Sequence, residues 1–539
     1  MKAISTLRYQ PGQLLKHSKR VSVKLIIIKF DFFTNHNHKP MSLILLSIFE
    51  SLSTQTLKQC LLQDDCRQEI IITLIVCLTT MLFLNSAINC GGLTKKGAAN
   101  QRKQRDQMAV EQTIAMNNKS NKIWNFDKSS EATAPKFTHP VSIALTGARG
   151  MVGSGVIQTL INGGICKHIV MLDRLKEDVN FTQAQKETLS KHNVHLYYVE
   201  CDITDRQGLL DPKGIVQTTL KQANVQAMLH IAALVGPFFP TPAYLSVNYD
   251  GTVNVIDCCQ AANIGALIDC SSPSTRFDGS DIRGSNEKEI WNSLGQKYQG
   301  LHEYARTKAL GEAAVLKAAL DTNLSTCAVA PHQVYGPSDQ LFLPALLRNA
   351  KSGKLRVMGD GNNCVSFTHE TNIAHALLLA AGALVAHENW KQEGKPIDNS
   401  ELSVLGQAGK KVNGEYMVVT DSTDEYPAGM AINFWDAIDD ACAQTGIAPI
   451  RSGTRGLCRL PYWGLLVPIA YCGKLFTCLT GKFINITPFT IKMLVIDRYF
   501  DIGKAKTLLG YKPLVSFNDA GGWRAAIDSV KQRLDEEGW

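Results

Sequence analysis

One short stretch constrains this chain more than any other: Thr146-Gly147-Ala148-Arg149-Gly150-Met151-Val152-Gly153. The continuous apolar run 141–145 precedes it and reads as a buried parallel strand. From 156 to 160 the apolar spacing turns helical. Strand, glycine turn and helix in that order open a βαβ unit. Gly147 permits a tight turn, Gly150 lets the backbone approach a pyrophosphate, and Gly153 lets helix and strand pack closely. The helix N-terminus, with Met151 and Val152 in its first turn, then faces the phosphates. The G-x-x-G-x-x-G spacing is wider than the G-x-G-x-x-G fingerprint, so the flanking strand and helix carry the inference.

A second strand, 168–172, ends at Asp173. A carboxylate there accepts hydrogen bonds from a ribose 2′-hydroxyl and repels a 2′-phosphate, which favours NAD over NADP. Arg149 and Arg174 pull the other way, since either could meet a 2′-phosphate. Three more segments fit the same sheet. Residues 196–199 lead to Cys201-Asp202-Ile203-Thr204-Asp205, with Asp202 and Ile203 at the adenine side. Residues 227–231 lead to Ala232 and Ala233, small enough for close backbone approach to a cofactor. Residues 266–268 lead to Asp269-Cys270-Ser271-Ser272, a hydroxyl emerging where open α/β sheets bind ligands. Helical patterns separate these strands, as right-handed crossovers require. The expected fold is α/β: a Rossmann-type doubly wound parallel sheet with a smaller C-terminal substrate domain.

Tyr304-Ala305-Arg306-Thr307-Lys308 lies downstream. Spacing of four puts the phenol and the ammonium on one helix face. A free tyrosine titrates near pH ~10; a neighbouring cation favours the phenolate, so Lys308 is expected to lower the pKa of Tyr304. The pair alone is a weak signal, and gains weight from the glycine turn upstream.

Together, the glycine loop, Asp173, Asp202, Ser272 and Tyr304/Lys308 resemble the extended short-chain dehydrogenase/reductases. Several further stretches are similar to the 3β-hydroxysteroid dehydrogenase/isomerase family within that group: His230-Ile231-Ala232-Ala233-Leu234-Val235, the serine segment Ser271 through Gly279, and Gly359-Asp360-Gly361-Asn362-Asn363. So are Phe367-Thr368-His369-Glu370-Thr371-Asn372 and the tail Leu509-Gly510-Tyr511-Lys512-Pro513. The resemblance covers about 140–525 and is nearest to the decarboxylating sterol-4α-carboxylate dehydrogenases of that family. It implies Ser272, Tyr304 and Lys308 as catalytic residues. It implies Gly147, Gly150, Met151, Val152, Gly153, Asp173, Asp202, Ile203, Ala232, Ala233, Tyr304 and Lys308 as cofactor-binding, with NAD (or NADP) as cofactor and no metal. The implied reaction is oxidation of a sterol 3β-hydroxyl to a 3-ketone, with loss of a C4 carboxylate as CO2. Tyr304 would be the base, Lys308 would also hydrogen-bond the nicotinamide ribose, and Ser272 would hold the substrate oxygen.

Three other readings stay open: a Δ5-steroid dehydrogenase that also isomerises the double bond, a nucleotide-sugar epimerase or dehydratase, and a non-catalytic NAD-binding scaffold. An isomerase needs an extra acid/base pair. A dianionic sugar nucleotide calls for an arginine-rich site. A scaffold has no need of Ser272/Tyr304/Lys308. The chain departs from the family at Thr275 and Arg276, where an apolar residue is usual, and at Ala330, where an arginine commonly precedes Pro331. These positions are expected near the substrate side of the sheet.

With 539 residues the chain exceeds what this fold requires, and the excess is N-terminal. The expected organisation is an extension over 1–69, a candidate membrane helix over 70–89, a polar linker over 90–139, a cofactor domain over 140–334 and a substrate region over 335–539. Residues 70–88 carry no charge and approach the ~20 apolar residues a bilayer core needs. Lys95, Lys96, Arg102, Lys103 and Arg105 follow, placing the catalytic part in the cytosol; the expected location is an endoplasmic reticulum membrane. A targeting peptide or an upstream start in the gene would give the same pattern. A second apolar stretch, 460–479, is broken by Pro461, Pro468 and Lys474, and reads as a buried or interfacial helix. Expected partners are a sterol or steroid substrate, a membrane and a second copy in a homodimer. Nucleic acid is excluded, because the net charge of +8 comes without a basic-aromatic pattern. The 15 cysteines show no C-x-x-C spacing, which indicates a reducing compartment. Cys258 and Cys259 are expected to pack in a helix, and His332, His369 and His375 to be structural.

Overall fold

The computed structural model describes residues 141–163, 166–175, 183–236, 239–277, 279–291, 303–394, 401–422, 431–451 and 488–539. The candidate membrane helix, the linker and the 460–479 stretch lie outside them. Among the described residues no helix is long and apolar enough to cross a membrane.

Seven parallel strands form the main sheet. They are β1 (Val141–Thr146), β2 (Cys166–Asp173), β3 (His195–Glu200), β4 (Ala227–His230), β5 (Ala266–Cys270), and two from further along the chain. After β6 (Ile282–Ser285) come β7 (Ser325–Pro331), β8 (Val334–Tyr335), β9 (Cys364–Val365), β10 (Thr368–His369), β11 (Tyr416–Val419), β12 (Ile432–Asn433) and β13 (Arg498–Phe500). The order across the main sheet is β11-β7-β5-β4-β1-β2-β3. Its first strand lies inside the sheet, with β2 on one side and β4 on the other. The order therefore reverses between β1 and β4, and the crevice beyond their C-terminal ends is where such sheets take a ligand.

Both faces are covered, which is why β1 is buried at all six positions instead of alternating. On one face lie α1 (Met151–Gly163) and a long helix introduced below; their Val156, Leu160, Ile373 and Leu377 pack on Ile143, Leu145 and Ile268. On the other lie α2 (Gly251–Ala261) and α3 (Glu303–Asp321), whose Val255, Cys258 and Val315 pack on Ala144, Met228 and Leu267. Cys258 and Cys259 are thus core residues, and the described cysteines are free thiols.

The chain returns to the sheet after residue 334. A long helix, α4 (Glu370–Glu393), is buried along nearly its whole surface between the sheet, α1 and the following α5 (Glu401–Val412). β11 then adds to the outer edge beside β7. Residues 370–419 therefore complete the cofactor sheet, although they fall in the stretch expected as substrate region. A second core, built around Trp435, Phe367, Phe517 and Trp523, belongs to the remaining C-terminal part. The small sheet β12-β9-β13-β6 draws one strand, β6, from the segment just after the serine turn. This ties the C-terminal part to the edge where the candidate residues gather.

Candidate active site

Gly147 follows β1 with φ +70°, a left-handed conformation that disfavours a side chain. A Cβ there would lie 2.9 Å from the backbone N and Cα of Ala232, which follows β4. The two ends of the switch point thus touch through a glycine and an alanine. A Cβ on Gly153 would run into the carbonyl oxygen of Gly147, so the helix start is seated directly on the turn. Gly150 is less confined: its Cβ would meet that same oxygen at 3.3 Å. Met151 and Val152 sit partly exposed in the first turn of α1, whose initial N–H groups have no partner within the helix.

Asp173 ends β2 and is 8% exposed. Its carboxylate accepts from the N–H of Arg149 at 2.9 Å and of Leu175 at 3.1 Å. It thereby fixes the glycine turn and keeps further lone pairs for a ribose. Asp202 is exposed beyond β3 and accepts from the N–H and the hydroxyl of Thr204, each at 2.8 Å. Ile203 is buried, and its carbonyl accepts from Asn254 at 3.0 Å. Thr146 Oγ1 lies 3.1 and 3.2 Å from the N–H groups of Ile231 and Ala232, and 2.9 Å from His230 Nδ1. His230 Nε2 reaches Thr252 at 3.0 Å. Burial, with the Lys308 charge nearby, pushes the His230 pKa down to about 3, so the ring is neutral and acts as a brace between β1, β4 and α2. Ala233 follows at the crevice, partly exposed. A glycine cradle that a Cβ would fill, a helix N-terminus and a carboxylate at the end of β2 fit a dinucleotide with free ribose hydroxyls.

The acid–base residues stand at the neighbouring edge. Ser272 follows β5, and its Oγ accepts from the hydroxyl of Ser274 at 2.9 Å. Both serines lie near enough to the Tyr304 hydroxyl to favour its ionised form. Tyr304 and Lys308 lie one turn apart on α3. The Lys308 ammonium is 3% exposed and donates to the Cys270 carbonyl at 3.0 Å, with Asp269 Oδ1 at 3.4 Å. Burial works against its charge, but Asp269 and Tyr304 outweigh that and hold its pKa above the ordinary lysine value.

Tyr304 departs from the sequence expectation. Lys308 and the two serines do favour its phenolate, yet burial is the larger effect and the pKa is raised overall. The spacing of the pair showed the cation; it could not show the desolvation of the phenol.

Thr275 and Arg276, expected near the substrate side, stand in the turn that follows Ser272. Both side chains turn inward, 1% and 2% exposed, and engage α3 and β11. The remaining departure, Ala330, is fully buried in β7. His332, His369 and His375 are buried with pKa values pushed down by desolvation, to about 3, 4 and 4. Among the described residues no cluster could hold a metal.

Several contributors were invisible in the sequence reading. Ser274 gives a second hydroxyl. Asp269 supplies the countercharge to Lys308. Asn248 sits in a π-helical segment, Leu245–Asp250, and clamps Leu234 through both its N–H and its carbonyl, at 2.8 and 3.0 Å. The Asn248 carbonyl lies where a Cβ on Gly311 would go, so α3 packs directly on this bulge. The one readable signal was Gly311 on the same helix as Tyr304.

A family model described as "3-beta hydroxysteroid dehydrogenase/isomerase family" matches residues 144–399. The chain is 28% identical over 392 residues to 3beta-hydroxysteroid-dehydrogenase/decarboxylase isoform 1 of Arabidopsis thaliana, covering 71% of this chain and 78% of that protein. It is 31% identical over 286 residues to the decarboxylating sterol-4-alpha-carboxylate 3-dehydrogenase of Bos taurus, covering 51% and 68%. It is also 28% identical over 402 residues to a 2-alkyl-3-oxoalkanoate reductase of Shewanella oneidensis, covering 72% and 86%.

Proposed function

Since the chain belongs to the 3-beta hydroxysteroid dehydrogenase/isomerase family, we propose that it oxidises a sterol 3β-hydroxyl to a 3-ketone with NAD and releases a C4 carboxylate as CO2. The observation that carries this is the meeting of Ser272, Ser274, Tyr304 and Lys308 at the sheet edge beside the glycine cradle. The names of two relatives support the carboxylated sterol. The oxoalkanoate relative fits the same chemistry, because its substrate also carries a carboxylate β to a C3 ketone.

Gly147, Gly153 and the first turn of α1 would hold the pyrophosphate, and Asp173 the adenosine ribose. NAD bound there supplies the hydride acceptor. Ser272 and Ser274 orient the substrate oxygen by hydrogen bonds. Tyr304 Oη takes the hydroxyl proton as C3 is oxidised. Lys308 favours the phenolate that takes this proton, and Asp269 keeps the ammonium charged and in place. The C3 ketone then lies β to the C4 carboxylate. Cleavage of the C4–carboxylate bond releases CO2 and leaves its electron pair as an enolate on the ketone, which takes a proton at C4 from solvent, so no separate decarboxylating residue is required. The same reading includes attachment to an endoplasmic reticulum membrane through residues 70–88, supported by the lack of charge there and the five cations that follow.

The test is turnover of the purified chain on a 4α-carboxy-3β-hydroxysterol with NAD. CO2 and NADH should appear in equal amounts. A conjugated enone from a Δ5 steroid, with no turnover of the carboxysterol, would overturn the proposal in favour of isomerisation. Activity on 2-alkyl-3-hydroxyalkanoates alone would move the substrate from sterol to acyl chain. Alkaline extraction of membranes carrying the full chain tests the attachment: release into the supernatant rejects it.

A further inference from the structure

Two buried ion pairs lie along one face of α3. Tyr304, Lys308 and Glu312 follow at intervals of four, so they project to the same side. Lys308 faces Asp269. One turn on, Glu312 forms an ion pair with Arg276, and their side chains are 1% and 0% exposed. Glu312 also accepts from the Ser271 hydroxyl at 2.6 Å and lies 3.0 Å from that of Thr275. The Thr275 hydroxyl is 2.8 Å from the Ser272 carbonyl and accepts from Arg276 at 2.8 Å. The Arg276 guanidinium lies over the Tyr416 ring, 4.0 Å from its centre.

Every partner that Glu312 gathers comes from residues 271–276, the turn carrying Ser272 and Ser274. The carboxylate belongs to the helix carrying Tyr304. Register explains how an arginine fits there. Asp269 pairs with Ala328, and Tyr416 with Ala328, so these residues share a sheet face with Ala330, two residues along. Alanine at 328 and 330 leaves that face low, and the Arg276 guanidinium lies over Tyr416, which pairs with Ala328.

We propose that Glu312 and Arg276 are positioning residues: they lock the serine turn to the catalytic helix and so set where Ser272 and Ser274 stand beside the Tyr304 hydroxyl. This rests on the dehydrogenase reading above. Neither side chain touches the substrate. Their effect passes through the turn, and is distinct from the field of Lys308, which together with Cys270 and the two serines makes up the polar surroundings of Tyr304.

The experiment follows the Tyr304 titration by difference ultraviolet absorbance, each protein measured against its own Tyr304→Phe version, alongside kcat and NAD affinity. Glu312→Gln should lower kcat roughly 10- to 100-fold, the scale of a small misplacement. It should raise the Tyr304 pKa further and leave NAD affinity unchanged. An unpaired buried arginine could unfold that variant, so Arg276→Met/Glu312→Met removes both charges; it should show the same slow turnover and raised titration. Ser271→Ala and Thr275→Val delete only hydroxyls and should move the titration in the same direction by less. Arg276→Lys should recover part of the loss. Wild-type titration in the double variant, or in both hydroxyl variants if the double does not fold, overturns the proposal. The titration needs no substrate, so it stands apart from failure of the carboxysterol assay.

Discussion

The two halves of the site are held by different physics. On the cofactor side, backbone does most of the holding: Gly147 against Ala232 and Gly153 against Gly147, with one side chain, the Asp173 carboxylate, accepting from the N–H of Arg149. On the acid–base side, side-chain charges do the holding: Lys308 with Asp269, Glu312 with Arg276, all nearly inaccessible to water. Backbone contacts tolerate almost no added volume but leave charge free to vary. A buried charge network tolerates changes of shape poorly and changes of charge worse, since each unpaired member keeps its desolvation cost. Changes on the first side should therefore appear in cofactor affinity, and changes on the second in turnover.

Tyr304→Phe should produce the largest effect, a loss of about 10²–10⁴ in kcat, the usual worth of a general acid–base group. NAD affinity should persist, measured by quenching of protein fluorescence. Loss of binding in this variant would break the division between the halves. The raised Tyr304 pKa also sets the pH dependence. The base must be ionised, and its pKa lies above the ordinary tyrosine value in the NAD-free chain. The rate of alcohol oxidation should therefore climb with pH through the neutral range, and the Tyr304 titration should move down when oxidised dinucleotide binds. A rate already level below about pH 7 would mean another base.

Gly147→Ala comes next. Its left-handed backbone and the 2.9 Å approach to Ala232 predict strain of about 1–3 kcal/mol. That should weaken NAD binding by roughly tenfold or more, with kcat at saturating NAD nearly kept. A fall in kcat with affinity intact would show that the turn shapes the acid–base half as well. Asp173→Ala should then raise the NADP-to-NAD preference by roughly tenfold, equivalent to about 1.4 kcal/mol. It should also loosen the turn, because the Arg149 N–H loses its acceptor. A wild type that prefers NADP would assign the choice to Arg149 or Arg174 instead.

The same division explains what was legible. The glycine turn, the strand ending at Asp173 and the segments that became β1 to β5 could be read because backbone constraints act between near neighbours. Tyr304 and Lys308 were legible for the same reason, through helical spacing. β7 and β11 were not named. β11 pairs with β7 after an excursion of some 85 residues from Pro331 to Tyr416, and no local period marks that return. Asp269 stood inside a quoted motif, yet its role depends on a lysine 39 residues away. Arg276 was noticed as unusual, but its burial and its pairing stayed hidden, because residue type alone could not reveal Glu312 on α3. The pKa of Tyr304 was misjudged on similar grounds: a neighbouring charge shows in the sequence, whereas depth of burial does not.

The smallest effect should come from Asp202→Ala. Asp202 lies on the cofactor side, but it is exposed and holds only the turn at Thr204. Water replaces much of what its carboxylate provides, and surface substitutions away from the core usually change stability by within about 0.5 kcal/mol. Its contribution to the adenine end of the dinucleotide should be similarly small, about threefold or less in NAD affinity. NADP should be affected in parallel, because Asp202 is expected at the base and not at the 2′ position. Isothermal titration with both dinucleotides checks this. A loss of a hundredfold would place Asp202 among the residues that hold the cofactor half together. The backbone argument would then need a side-chain anchor at β3 as firm as the one Asp173 gives at β2.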